Sequence, residues 1–138
     1  MLRRRPWLLS QLIDEGALQR PLRAGALEEE LDDWLAVDGA SLPVVLRRFR
    51  ERQQLRIIWR DLNRLAPTLE TTRDVSWLAQ ACIDRALKAC SRELQSRFGV
   101  PRGRESGREQ ELLVIAMGKL GAGELNLSSD VDLIFAYP

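Results

Sequence analysis

The chain contains no histidine, and only two of its 138 residues are cysteine. Without an imidazole, a Cys/His zinc site and a histidine-based nucleophilic triad are both excluded. Cys82 and Cys90 stand eight positions apart in a helical pattern. A rise of roughly 1.5 Å per residue then separates them by about 12 Å, too far for an internal disulfide. Reduced thiols fit a cytoplasmic protein. Nor does any stretch approach the roughly 20 apolar residues of a membrane span. Arg3, Arg4 and Arg5 ahead of Leu8 and Leu9 have a superficial likeness to a secretion signal, but Gln11, Asp14 and Glu15 break the apolar patch. An excess of one charge is also missing. With 21 Lys+Arg against 20 Asp+Glu the net charge is +1, which gives no global basic field for nucleic acid. Lysine itself is confined to Lys88 and Lys119. The arginine excess reads as a compositional bias.

Hydrophobic residues make up 45% of the chain and charged residues 30%, the composition of a soluble globular domain able to bury a core. No repeat is visible at periods of about 20 to 50 residues. Residues 2–15 read as an amphipathic helix on Leu8, Leu9, Leu12 and Ile13, stopped near Gly16. A second helix spans 25–37, with Leu27, Leu31, Trp34 and Leu35 as its apolar stripe and Glu28, Glu29, Glu30, Asp32 and Asp33 as its acidic side. After the Asp38-Gly39 turn, Ser41 is the expected N-cap of a third helix running to about Leu65, its stripe made by Leu55, Ile58, Leu62 and Leu65. Arg48, Arg52, Arg56, Arg60 and Arg64 recur opposite that stripe. This ladder reads as a solvated face, with the acidic helix as available counter-charge; the rival reading is a docking surface for an acidic or phosphorylated partner. Thr71 and Asp74 predict the start of a fourth helix. Its face of Leu78, Ala79, Cys82, Ile83, Ala86, Cys90, Leu94 and Phe98 ends at Gly99 and Pro101, and its cysteines read as small core residues.

Pro101 to Gln110 has loop composition and marks the expected division, with a helical module over 1–104 and a sheet-forming part over 105–138. Glu111 to Met117 reads as a buried strand, followed by the turn Gly118-Lys119-Leu120-Gly121-Ala122-Gly123 and a second apolar run ending in Leu133-Ile134-Phe135. The glycines let backbone N–H groups come close to phosphate oxygens. The spacing matches neither a Walker loop nor a G-x-G-x-x-G dinucleotide turn. Asp130 and Asp132, at i and i+2 where the second strand begins, project to one face. Two carboxylates side by side repel unless a cation lies between them, and hard oxygen ligands suit Mg²⁺, hence phosphate chemistry. Their bland reading is an exposed strand face after a Ser-Ser turn. Lys119 suits a phosphate contact and equally a packing role against Glu124, and Glu124 with Asn126 could cap a short helix between the strands.

Gly-Lys-Leu-Gly at 118–121, Glu-Leu-Asn at 124–126 and Ser-Ser-Asp-Val-Asp-Leu-Ile-Phe at 128–135 resemble the signature of glutamine synthetase adenylyltransferases. Leu46-Arg47-Arg48-Phe49-Arg50 and Leu55-Arg56-Ile57-Ile58-Trp59-Arg60 are similar to the segment before that signature, so the resemblance covers most of the chain. The broad nucleotidyltransferase pattern carries Gly or Ser where this chain has Lys119, a departure shared with the adenylyltransferases. The resemblance implies a mainly α fold with a short α/β part: a helical bundle leading into the first two strands of a nucleotidyltransferase-type domain. It implies that Asp130 and Asp132 are catalytic and bind Mg²⁺, with ATP or ADP as nucleotide, that Gly118 and Gly121 shape the phosphate loop with Lys119 beside it, and that Ser129 lines the same pocket. It further implies two-metal phosphoryl transfer. Glutamine synthetase is the implied partner, and the family answers to a PII-type nitrogen-signal protein, a contact that no residue here reveals. The family has one domain adding AMP and one removing it by phosphorolysis; Glu124-Leu125-Asn126 and the upstream helices favour the N-terminal, adenylyl-removing copy. Members are several times longer, so the chain is expected to be a fragment, inactive alone for want of a third carboxylate on a later strand. A helical protein-binding module and a nucleotidyltransferase with another acceptor are the alternatives.

Overall fold

A computed structural model describes residues 7–137. Four helices come first: α1 (Trp7–Asp14), α2 (Ala26–Val37), α3 (Leu42–Leu62) and α4 (Thr68–Phe98). Strand β1 (Leu113–Ala116), the one-turn helix α5 (Gly118–Gly121) and strand β2 (Leu133–Ala136) follow. This is the expected mainly α architecture with a small sheet. Residues 2–6 of the first expected helix lie outside the described residues. Among the described residues no helix is long and apolar enough to cross a membrane.

Helices α2, α3 and α4 pack on one another around Leu27, Leu31, Val45, Phe49, Ile57, Val75, Leu78 and Ala81. Trp34 meets Phe49 edge-to-face with ring centroids 5.5 Å apart. A second cluster joins Leu8 and Leu12 of α1 and the following Leu18 to Leu55 of α3. As expected, α2 buries Leu27 and Leu31 and half-buries Trp34 and Leu35.

Helix α3 overturns the expected division of its faces. It ends at Leu62 rather than Leu65, and Leu62 and Leu65 are exposed, at 76% and 40%. Three rungs of the arginine ladder are instead buried: Arg52, Arg56 and Arg60 are 5%, 4% and 3% exposed. Each has work inside the fold that a local stripe does not reveal. Arg52 pairs with Glu30 at 2.6 Å and with Glu15. Arg56 donates Nε to the Ala17 carbonyl at 2.9 Å and Nη2 to the Arg20 carbonyl. Arg60 donates to the Leu18 carbonyl at 2.9 Å, the Leu65 carbonyl at 3.1 Å and Glu70 at 2.8 Å. Arg56 and Arg60 thus satisfy carbonyls of the turn after α1, which would otherwise be orphaned where the chain leaves its helix, while Arg52 is held by two carboxylates. Of the outer rungs, Arg48 pairs with Asp38 at 3.0 Å, and Arg64 is exposed with a positive φ of 56° past the helix end. The three central rungs are therefore neither a solvated face nor a free docking surface, while the outer two are exposed; the acidic helix does supply one counter-charge through Glu30.

Several helix ends also differ from expectation. Ser41 occupies the N-cap position of α3 without a side-chain capping bond. Helix α4 begins at Thr68, so Thr71 is inside it and bonds across to Asp61 at 2.9 Å instead of capping. Asp74, 2% exposed, takes both Arg73 donors, at 3.1 and 2.7 Å; burial raises its carboxyl above the usual carboxylate range. The apolar face of α4 is used in its first half only. Leu94 and Phe98 are 54% and 75% exposed, Cys90 is exposed, and Cys82 is half-buried. Gly99, at φ 83°, ends the helix as expected. The linker doubles back on itself through the Arg102–Glu109 bridge.

Candidate functional site

Strands β1 and β2 pair antiparallel, Ala116 opposite Leu133 and Leu113 opposite Ala136. The observed strands are shorter than the apolar runs suggested, and neither aspartate falls within β2. The pairing nevertheless continues one step further, because the Met117 N–H donates to the Asp132 carbonyl at 2.9 Å. This bond places the start of the glycine turn and the acidic pair at the same end of the sheet.

The glycine turn folds as α5 and closes on itself. Gly121, Ala122 and Gly123 donate backbone N–H groups to the carbonyls of Met117, Gly118 and Leu120, and Glu124 to that of Lys119 at 2.8 Å. Gly118 takes a φ of 54°, which disfavours any residue with a Cβ. Gly121 is small for another reason: a Cβ there would lie 2.5 Å from the Ala116 carbonyl oxygen. Glycine at 121 thus lets α5 lie against the end of β1. Lys119 is exposed on the turn, and its contact with Glu124 is through the backbone. Glu124 and Asn126 follow α5, so they do not cap its start.

Leu120 and Leu125, on either side of the glycines, are 2% and 4% exposed and join the core formed by α2, α3 and α4. The Leu125 N–H donates to Ser76 Oγ of α4 at 2.9 Å. Beyond it the Ser129 N–H closes a turn on the Asn126 carbonyl at 3.2 Å, with Ser129 half-buried. Sequence reasoning did not single out Ser76; a serine within an otherwise regular helix carries no local signal of a partner 49 residues away.

Asp130 and Asp132 are exposed, and among the described residues neither carboxylate has a cationic side chain against it. Among the described residues no three His, Cys, Asp or Glu side chains gather into a metal-holding group. The two carboxylates are hard oxygen donors open to solvent. Such a pair suits Mg²⁺, which keeps several waters and is commonly held by one or two carboxylates together with substrate phosphates. Two clefts among the described residues lie elsewhere. One, of about 480 Å³, lies between α2 and α4 around Asp32, Arg85 and Arg92; the other, of about 460 Å³, is lined by the end of α4, the linker and Tyr137.

These features define a mainly α protein whose bundle core continues into a strand, a glycine turn and an Asp-x-Asp pair at the head of an antiparallel strand. The chain belongs to the glutamate-ammonia ligase adenylyltransferase family, whose model matches residues 1–138. It is 53% identical over 133 residues to the bifunctional glutamine synthetase adenylyltransferase/adenylyl-removing enzyme of Pseudomonas aeruginosa, a match covering 95% of this chain and 14% of that protein. It is 50% identical over 137 residues to the enzyme of the same name from Pseudomonas syringae, covering 98% of this chain and 14% of the relative. The enzyme so named from Nitrosococcus oceani is 57% identical over 98 residues, covering 70% of this chain and 10% of the relative. The chain thus spans about a seventh of the length of the Pseudomonas relatives.

Proposed function

We propose that this chain carries the opening part of a Mg²⁺-dependent nucleotidyltransferase site acting on glutamine synthetase, and that the site is the adenylyl-removing one. The observation that carries the reading is the Met117 N–H bond to the Asp132 carbonyl, which sets the glycine turn and the two carboxylates at one end of the sheet. Asp130 and Asp132 would hold the metal, and Mg²⁺ bound there would neutralise phosphate charge and lower the pKa of an attacking oxygen. The chain's own groups do the remaining work. Gly118 and Gly121 keep the turn free of side chains where phosphate oxygens approach. Lys119 supplies a positive charge at the rim, and Ser129 a hydroxyl beside the acidic pair. In the removal reaction, an oxygen of inorganic phosphate attacks the adenylyl phosphorus. The P–O bond to the tyrosine of glutamine synthetase breaks as the new P–O bond forms, leaving ADP and the free tyrosine. ATP is the corresponding nucleotide for AMP addition.

The module division near residue 104 marks where the nucleotidyltransferase part starts. The proposed metal ligands number two within the described residues, and on that ground the 138-residue chain by itself is expected not to turn over. A PII-type signal protein is the proposed regulator, and the site works in the cytoplasm.

The test uses a full-length family enzyme containing this segment, with Asp130→Asn and Asp132→Asn made singly. Release of ADP from adenylylated glutamine synthetase is expected to fall at least about 100-fold in each, since a preorganised charge-stabilising group of this kind is worth that much. Attachment of AMP, measured in parallel, is expected to survive. Retention of both activities in both variants refutes the site, whereas loss of attachment with phosphorolysis retained refutes the adenylyl-removing assignment and gives the segment the opposite activity.

A further inference from the structure

Ser76 lies inside α4 and is 1% exposed. Its hydroxyl donates to the Thr72 carbonyl one helical turn back, at 2.8 Å, so its proton is committed within the helix. The oxygen's remaining capacity is as an acceptor, and it takes the Leu125 N–H at 2.9 Å. Leu125 is itself 4% exposed, so without Ser76 its amide would be a buried donor lacking a partner. The chain from Leu125 to Asp130 has little slack, because the Ser129 N–H closes on the Asn126 carbonyl. Asp132 is tied at the other end by Met117. The acidic pair is therefore tethered on one side to β1 and on the other to α4.

We infer that Ser76 is a positioning residue of the nucleotide-transfer site: by holding the Leu125 amide it sets where Asp130 and Asp132 stand relative to the glycine turn. The inference rests on the nucleotidyltransferase reading above. Leu120 and Leu125 supply the non-directional part of the anchorage, since apolar contacts tolerate small sliding and rotation. The Ser76 bond supplies the directional part.

The experiment uses the full-length family enzyme with Ser76→Ala, Ser76→Thr and, as control, Asp130→Asn. Three quantities are measured: hydrogen exchange of the Leu125 peptide, kcat and KM for phosphorolysis of adenylylated glutamine synthetase, and the Mg²⁺ concentration giving half-maximal rate. For Ser76→Ala, exchange at Leu125 is expected to quicken about tenfold or more while the α4 amides keep their protection. The value of kcat is expected to fall about 10- to 100-fold, the scale of a misplacement near 1 Å, and the Mg²⁺ requirement to rise. KM for the protein substrate should stay within about twofold, since that surface is untouched. Ser76→Thr, which keeps the hydroxyl, should return exchange and kcat towards wild type. If Ser76→Ala does not fold, Ser76→Cys, a weak acceptor of similar size, takes its place in every comparison. Faster exchange with wild-type kcat and Mg²⁺ requirement overturns the inference, and so does unchanged exchange. Failure of the underlying reading is distinct, because Asp130→Asn would then remain active whatever Ser76 does.

Discussion

Arg60→Met is the sharpest test of the buried arginine ladder. Methionine keeps an unbranched stem of similar reach and removes the guanidinium. In the native protein Arg60 is 3% exposed and bonds the carbonyls of Leu18 and Leu65 at 2.9 and 3.1 Å and Glu70 at 2.8 Å, whose side chain is 15% exposed. Breaking a buried pair by removing one partner costs about 3–5 kcal/mol, because the other charge is left without compensation. The two carbonyl bonds add about 1 kcal/mol each, offset in part by the apolar burial of methionine. A net loss of about 3 kcal/mol is expected. An arginine on a solvated face would lose about 1 kcal/mol at most.

Equilibrium urea unfolding followed by far-UV circular dichroism measures the difference, with an unchanged m-value as the check that folded and unfolded states remain comparable. Adding Glu70→Gln to Arg60→Met removes the stranded carboxylate and is expected to restore about 1–2 kcal/mol, so the pair is strongly non-additive. Gln53 Oε1, Arg56 Nη1 and Arg60 Nε have no hydrogen-bond partner among the described residues, so the net contribution of the seam is smaller than the damage done by breaking it. A loss below about 1 kcal/mol for Arg60→Met, or full additivity with Glu70→Gln, would refute the burial argument.

Gly121→Ala brings a Cβ to 2.5 Å from the Ala116 carbonyl oxygen, a backbone atom that cannot swing aside. A loss of about 1–3 kcal/mol is expected, against less than about 0.5 kcal/mol for Gly39→Ala, where nothing lies within 4 Å; equal thermal shifts for the two would contradict the close approach. The cysteines should label unequally at pH 8. Burial pushes the Cys82 thiol up to about 11. Its thiolate fraction at pH 8 is then about one in a thousand. Cys90 is exposed and should react first with a disulfide reagent, with Cys82 following only on unfolding; matching rates in the native protein would count against the packing of α4.

What could be read from the residues was whatever local pattern decides. The span of α2, the stop of α4 at Gly99 and the strand, turn and strand around the glycines all follow from periodicity and backbone chemistry within a dozen residues. The acidic pair and the turn stand out as a candidate site for the same reason. The arginine ladder was misread because its partners are distant: Ala17, Arg20 and Leu18 lie 39, 36 and 42 positions from the arginines that bond them. Charge on a helix is ordinarily a solvated face, and with arginines at buried positions α3 lost the apolar periodicity that would have marked its inner side. One signal was available. All five rungs are arginine and none is lysine. The planar, multiply donating guanidinium is the cation suited to buried carbonyls and carboxylates. Ser76 had no such signal, because its role exists only once Leu125 is beside it.

The position of the proposed site follows from the weakness of its own sheet. Two strands of four residues each make a hairpin that is marginal by itself in water, and Leu113, Ile115, Ile134 and Phe135 are 48–61% exposed, so the strands contribute little burial of their own. Rigidity must enter through the connecting segment. It does so at Leu120 and Leu125, which enter the core that α2, α3 and α4 build from Leu27, Phe49 and Leu78, and at the Ser76 bond that orients Leu125. The helices thus act as the foundation of the turn: α3 is fixed to α2 through Arg52 and Glu30, α4 to α3 through Arg60 and Glu70, and the glycine segment rests on the core they share. The polypeptide on either side of the exposed carboxylates is committed, to β1 through Met117 and to α4 through Ser76, and that tethering stands in for the burial the strands lack.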